Sequence, residues 1–240
     1  MANRGMFITL EGSEGAGKST QREFIGKWLE AAGVEVVYTR EPGGTPLAER
    51  IRELLLAPSD EPMATKAELL LMFAARAQHL DQVIFPALAR GAVVLCDRFV
   101  DSSYVYQHYG RNMPLKDLQT LEQYTCDGFE PDVTFVLEIP FEVGMRRAGL
   151  RGRLDRFELA GNAFFARVTK GYRERAEQFP ERCKRINGNQ DREQVEAQLI
   201  PHLQEIVNRI HGRIKVDKPK VTLDSNGHVI GNWLKDNNNE

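Results

Sequence analysis

Residues 5–20 read GMFITLEGSEGAGKST, and three kinds of segment follow one another within them. Met6–Leu10 is a short apolar run of β-favouring residues that ends at glycine, which predicts a buried strand. Gly12-Ser13-Glu14-Gly15-Ala16-Gly17-Lys18-Ser19, with Thr20 after it, fits G-x₄-G-K-[ST] without a mismatch. From Lys18 onward Phe24, Ile25, Trp28 and Leu29 recur at helical spacing, and Gly33 suits a C-terminal cap. Strand, glycine-rich loop and helix in that order is the context a phosphate cradle requires. Glycines let the backbone wrap closely around phosphates with several N–H groups pointing inward. The helix start adds its positive dipole end. A lysine at position 18 can then reach the β- and γ-phosphates, and a serine hydroxyl at 19 can ligate Mg²⁺.

Further apolar strands are predicted at 34–39, 92–96 and 132–137, with a short fifth at 185–187. Helices are predicted at 45–56, 64–89 (interrupted or kinked at Pro86), 115–126, 141–150, 158–178 and 191–210. Buried strands alternating with helices predict βαβ units and a mostly parallel sheet covered on both faces. The expected architecture is therefore a three-layer α/β domain with a five-stranded parallel sheet. Residues 212–240 differ in composition. Asn226-Gly227 sits between β-formers there and permits a hairpin, but the segment fits a partly ordered extension equally well.

Composition narrows the function. Lys plus Arg is 32 and Asp plus Glu is 34, a net charge of −2 that argues against a dedicated nucleic-acid binder. Three scattered cysteines, Cys96, Cys126 and Cys183, make neither a disulfide framework nor a zinc cluster and suit a reducing compartment. No apolar run reaches the ~18 residues of a membrane span, and the N-terminus lacks a signal-peptide core. A cytoplasmic location is expected. The phosphate cradle is shared by switches, motors and small-molecule kinases. No NKxD base-reading motif is present, and the third strand ends in Asp97-Arg98, where an oligomeric ATPase would usually place two acidic residues.

Four more segments converge on one family. TREPGGT (39–45) follows the second strand, FAARAQH (73–79) lies on the long helix, DRFVDSSYVYQ (97–107) follows the third strand, and RGRLDRFE (151–158) follows the fourth. With EGSEGAGKST they resemble bacterial thymidylate kinases over about residues 5–210, within the P-loop nucleoside monophosphate kinases. The resemblance implies a P-loop NTPase-type fold with a short helical lid at about 149–160. It also implies ATP and dTMP as substrates, Mg²⁺, transfer of the γ-phosphate to give dTDP, and a homodimer. No nucleic-acid or membrane partner is expected. The reading divides the chain into a kinase-like domain at 1–211 and an extension of unknown role at 212–240. Alternatives are a P-loop kinase for another nucleoside monophosphate and a non-catalytic nucleotide-binding protein.

The resemblance also assigns roles. Lys18 and the loop from Gly12 to Thr20 hold ATP, and Ser19 and Asp97 place Mg²⁺. Asp97 either does so through water or orients Arg98, which grips the acceptor phosphate. Glu14 contacts the sugar 3′-hydroxyl, while Arg40 and Glu41 lie near the acceptor phosphate and the metal. Arg76, Ser103 and Gln107 read the base, and Tyr172 lines the sugar side. The family's usual pattern puts a phenylalanine four residues before the arginine. Here Met72 has that place and Phe73 comes three before, so either could cover the base. The cradle contains no arginine, so Arg151 and Arg153 are the candidate catalytic fingers in a lid that also carries Asp155, Arg156 and Glu158. The acceptor is an already anionic phosphate oxygen, so positioning and charge neutralisation suffice without a general base.

Overall fold

The computed structural model describes residues 4–149, 156–157, 161–213, 222–223 and 229–230. The chain runs β1 (Phe7–Glu11), α1 (Lys18–Ala31), β2 (Val36–Arg40), α2 (Pro46–Leu56) and α3 (Thr65–His79). A π-helical turn (Leu80–Ile84), α4 (Phe85–Ala89), β3 (Val93–Asp97) and α5 (Val100–Ser103) come next. A second π-helical turn (Tyr104–Gly110), α6 (Leu115–Cys126), β4 (Val133–Glu138), α7 (Phe141–Gly149), α8 (Asn162–Gln178), β5 (Cys183–Asn187) and α9 (Arg192–Arg213) complete the main body. Strands β1 to β5 form one parallel sheet in the order β2-β3-β1-β4-β5. Among the described residues no helix is long and apolar enough to cross a membrane.

Alternation along the strands sends side chains to opposite layers. Ile8 and Leu10 of β1, Leu95 of β3 and Phe135 of β4 pack with Ile25 and Leu29 of α1 and with Leu199 and Leu203 of α9. Phe7, Val94 and Cys96 face the other way, onto Phe73, Ile84, Phe99 and Val100. Phe164, Phe165 and Val168 of α8 cover the β4–β5 end with Val136. Both faces are therefore closed, and the strands read as continuous apolar runs because neither face meets water.

Local chemistry sets the boundaries. Thr45 caps α2 by accepting from the Ala48 N–H at 3.1 Å, and Pro46 occupies the first turn, where its missing N–H costs nothing. The predicted helix at 64–89 divides, because the chain widens into the π-helical turn before Pro86 and resumes as α4. Proline cannot donate to a continuous α ladder, and the wider turn accommodates this. The helical stretch from Val100 to Gly110 was not predicted. Its apolar residues are consecutive (Tyr104, Val105, Tyr106) and are buried all round, so no amphipathic period marks it. In the C-terminal segment β6 (Thr222–Leu223) and β7 (Val229–Ile230) pair antiparallel, Thr222 with Ile230 and Leu223 with Val229. That is the hairpin alternative of the two readings; its turn, Asn226-Gly227, lies outside the described residues.

Candidate active site

A cavity of about 490 Å³ opens at the C-terminal ends of β1, β2 and β3. This is where open α/β sheets bind ligands. The loop between β1 and α1 forms one wall, from Glu14 to Thr20. Its geometry needs glycine: Gly15 has φ +74°, and a Cβ there would stand 2.3 Å from the Gly144 carbonyl oxygen. Gly17, at φ +93°, immediately precedes the first residue of α1. Lys18 folds back across the loop and donates to the carbonyls of Gly12 (3.0 Å) and Ser13 (3.1 Å). Enclosure there, with Arg98 nearby, lowers its pKa to about 8.

Arg98 follows β3 in the left-handed region, at φ +70°. Its backbone N–H bonds the Leu10 carbonyl, so the strained residue is held by the sheet itself. The guanidinium donates to Glu14 (2.8 Å), Tyr172 (2.7 Å), Gly12 O (3.0 Å) and Ser102 (3.3 Å). Tyr106 lies under it at 5.0 Å and donates its hydroxyl to Glu14. Arg98 thus pairs with Glu14 rather than with its neighbour Asp97. Behind this cluster sits Glu11, fully buried, which accepts from Phe99 N (2.8 Å), Ser102 N (3.3 Å) and Ser102 Oγ (2.6 Å), with the Tyr172 hydroxyl at 3.1 Å. Burial, reinforced by the Asp101 carboxylate, pushes the Glu11 pKa up to about 7.

A second cluster surrounds Arg76, which is 2% exposed. Its Nε donates to Glu41 (2.8 Å) and its Nη2 to Ser103 (2.9 Å). The buried Nη1 has no hydrogen-bond partner among the described residues. Glu41 also accepts from His79 Nδ1 at 3.0 Å, and His79 Nε2 lies 2.6 Å from the Thr39 hydroxyl. Glu41 therefore serves Arg76 and His79, while Arg40 is exposed and paired with Glu49 at 2.8 Å. Met72 lines the cavity. Phe73 is buried in the core, with its ring 4.7 Å from the Arg76 guanidinium carbon. Of the two candidates to cover a base, Met72 is the one that faces the space.

Other expectations land differently. Tyr172 is buried beneath Arg98 and is not among the cavity-lining residues. Arg156 does not point at the cradle. It donates to Leu55 O (2.7 Å) and to Glu68 (2.6 Å), and its neighbour Phe157 lines the cavity. Arg151, Arg153, Asp155 and Glu158 lie outside the described residues. Glu11, Ser102, Tyr106 and Phe157 stand inside the quoted segments without a role assigned to them; sequence reasoning passed over Glu68, and also Arg22, Arg52 and Arg147, which add positive charge to the cavity wall. Glu11 and Ser102 carried a signal in belonging to those segments; the isolated arginines carried none.

The shape of the site, a phosphate loop facing a buried arginine that holds an unused donor, narrows the class to nucleotide chemistry. The thymidylate kinase family model matches residues 10–199. The chain belongs to the thymidylate kinase family. Thymidylate kinase from Pseudomonas putida (strain GB-1) is 57% identical over 208 residues, covering 87% of this chain and 99% of that protein. That from Pseudomonas fluorescens (strain Pf0-1) is 58% identical over 205 residues, covering 84% of this chain and 98% of that protein. Among solved structures, thymidylate kinase from Ehrlichia chaffeensis superposes with a TM-score of 0.67 at 33% identity, covering 84% of this chain and 99% of that one. These family members are matched almost whole, so this chain carries residues that they lack.

The family reading can be tested against Mg²⁺ on the residues themselves. Asp97 Oδ1 is buried without a hydrogen-bond partner among the described residues, and Ser19 lines the cavity one residue into α1. Among the described residues no group of three or more His, Cys, Asp or Glu could hold a metal alone. One carboxylate and one hydroxyl beside a phosphate cradle suit Mg²⁺, which usually keeps waters and shares substrate phosphates.

Proposed function

We infer that this protein transfers the γ-phosphoryl group of ATP to dTMP, giving dTDP and ADP. The observation that carries the reading is the juxtaposition of the Lys18 loop with Arg98 at one end of a single cavity and Arg76 with Gln107 at the other. The first pair suits two phosphate groups, the second a pyrimidine base.

In this reading the backbone N–H groups of Gly15 to Ser19 and the Lys18 ammonium bind the ATP phosphates. Arg98 takes the acceptor phosphate, since a guanidinium can bind two of its oxygens at once. Glu14, which holds Arg98 at present, is then free for the sugar hydroxyl. Ser19 and Asp97 would hold Mg²⁺, which when bound neutralises charge on the transferring group. The acceptor phosphate has a second pKa near ~6 and is ionised at neutral pH, so no residue need remove a proton. Arg147 adds charge at the cavity wall, and Arg151 and Arg153 are proposed as the fingers that the arginine-free loop requires. Arg76 Nη1 and the Gln107 amide read the base over Met72.

We also propose that two copies associate, with exposed Leu70, Leu115 and Tyr124 as apolar side chains available for contact, a reading that sedimentation would check. Three free, buried cysteines support a cytoplasmic location.

The test is an ADP-release assay with ATP and Mg²⁺ against dTMP, dUMP, UMP, CMP, AMP and GMP. A strong preference for dTMP is expected. Preference for another monophosphate would overturn the base assignment, and absence of turnover with all six would overturn the reaction.

A further inference from the structure

The base end of the cavity is backed by a carboxylate for which the phosphoryl-transfer reading has no use. Glu68 lies on α3, two turns before Arg76, and is 1% exposed. Three elements converge on it. Gln107 Nε2, from the second π-helical turn, donates to its Oε1 at 2.9 Å. Arg156 Nη1 donates to its Oε2 at 2.6 Å, and Arg111 Nη2 lies 3.4 Å from the same oxygen. Arg156 is itself anchored to the end of α2, through its Nε on Leu55 O and its backbone N–H on Leu56 O at 3.2 Å.

We propose that Glu68 is a positioning residue for base selection: it fixes which end of the Gln107 amide faces the bound base, and so favours a pyrimidine bearing N3–H. This rests on the base-pocket reading above and deepens it. A carboxylate only accepts hydrogen bonds. The amide nitrogen of Gln107 must therefore turn toward Glu68, and the carbonyl oxygen is the half left for a ligand. Gln107 is itself 1% exposed and lines the cavity.

Beside it, Arg76 has spent Nε on Glu41 and Nη2 on Ser103 and keeps Nη1 unpaired. The wall then offers one donor and one acceptor. Thymine and uracil present an acceptor at O4 and a donor at N3–H, which match. Cytosine presents an amino donor and a bare N3, which oppose both. An amide free to rotate would offer its NH₂ to cytosine N3 and remove half of the discrimination. Arg156 on Oε2 and Arg111 across both oxygens hold the Glu68 carboxylate in place and keep it an acceptor for the amide.

The experiment measures kcat/KM for dTMP, dUMP and dCMP in the wild type and in Glu68→Gln, Gln107→Leu and Arg156→Ala. A glutamine at 68 can both donate and accept, so it releases the amide orientation while keeping the shape. E68Q is expected to lower the dTMP/dCMP ratio by about tenfold or more, mainly through KM, and to leave dTMP/dUMP unchanged. R156A removes one of the two cations that hold Glu68 while Arg111 remains, and is expected to lower the dTMP/dCMP ratio by less than E68Q does. Equal losses for all three acceptors in E68Q, or an unchanged ratio, would overturn the role of Glu68. If Q107L also leaves the ratio unchanged, the base-pocket reading fails; if Q107L collapses it and E68Q does not, only Glu68 fails. Should E68Q not fold, the wild type answers by NMR. The Gln107 side-chain NH₂ protons, assigned by their loss in Q107L, are expected to stay protected from exchange with and without dTMP, and rapid exchange in either state would overturn the proposal.

Discussion

ATP binding should carry a proton with it. Lys18 is enclosed by the Gly12 and Ser13 carbonyls and faces Arg98, and in the free protein its pKa falls to about 8. Phosphates beside the ammonium favour the charged form, so binding raises that pKa again. The sign follows: the free site loses its charge as pH rises through 8, and ATP must restore it. If the bound pKa lies well above 9, linkage predicts that affinity falls by about tenfold between pH 7 and pH 9, and that proton uptake on binding rises from ~0.1 to ~0.9 over that range. ATP has finished its own last phosphate ionisation, near pH ~6, before this window opens. Isothermal titration of ATP with Mg²⁺ and no acceptor, in two buffers of different ionisation heat at each pH, gives the uptake directly. Lys18→Met should abolish the pH-dependent part. Uptake near zero at pH 9 in the wild type would refute the reasoning, because it would mean that Lys18 is already charged before ATP arrives.

Other consequences follow from the buried polar groups. Glu11 titrates near 7 when folded and near its ordinary value of 4.5 when unfolded, so the folded state binds the extra proton between those pH values. The cost of burying its charge is present above pH 7 and is relieved as pH falls through 7, by at most about 3 kcal/mol. Urea unfolding from pH 4.5 to 8.5 should show this trend in the wild type and lose that component in Glu11→Gln. Asp101 accepts from Arg175 (2.9 Å) and from both Nη atoms of Arg182 (2.6 and 2.9 Å). Asp101→Asn strands two mostly buried cations and should destabilise by about 3–5 kcal/mol in the same assay. Burial raises all three thiol pKa values, those of Cys126 and Cys183 to about 12, so a thiol reagent at pH 8 should label none of them until denaturant is added.

What was legible in the sequence was what a local pattern determines. The strand, glycine-rich loop and helix at 5–31 depend on neighbours in the chain, and the structure follows them to within a residue. Strand β5 was harder, because Cys183 and Lys184 lack the β-branched signature and pair with Thr134 and Phe135 only through tertiary contact. The Val100–Gly110 helix escaped because burial on all sides erases amphipathicity. In the site, Arg98 and Arg76 stood inside recognisable motifs. What no local pattern shows is which members of different motifs meet: Glu11 reaches Ser102 across 91 residues, Glu41 reaches Arg76 across 35, and Arg156 reaches Glu68 across 88, only when β1, α3 and the β3–α6 segment come together. Arg156 shows the limit most clearly. An arginine in an arginine-rich run reads as one more phosphate ligand, and only the fold reveals that Glu68 holds it.

The pairing of Arg98 with Glu14 bears on how the acceptor is admitted. The two side chains are 17% and 13% exposed, so the contact is only partly screened. Two Tyr106 contacts, at 2.7 and 2.6 Å, hold the Glu14 carboxylate in place. An anion that takes Arg98 must therefore displace a carboxylate from it, and a dianion does so more readily than a monoanion. Glu14→Gln should ease that displacement, because a charge-assisted bond loses its charge while its shape persists. A bond of this kind is worth about 1.5–3 kcal/mol, so inorganic phosphate should compete with dTMP about tenfold more strongly in the variant. The KM for dTMP itself should not fall in parallel, because the carboxylate freed from Arg98 no longer meets the sugar hydroxyl. An assay of phosphate inhibition against dTMP separates the two effects. If E14Q leaves phosphate inhibition unchanged, Glu14 is no barrier at Arg98, and the selectivity of the site for a nucleotide over a bare phosphate must come entirely from the base end.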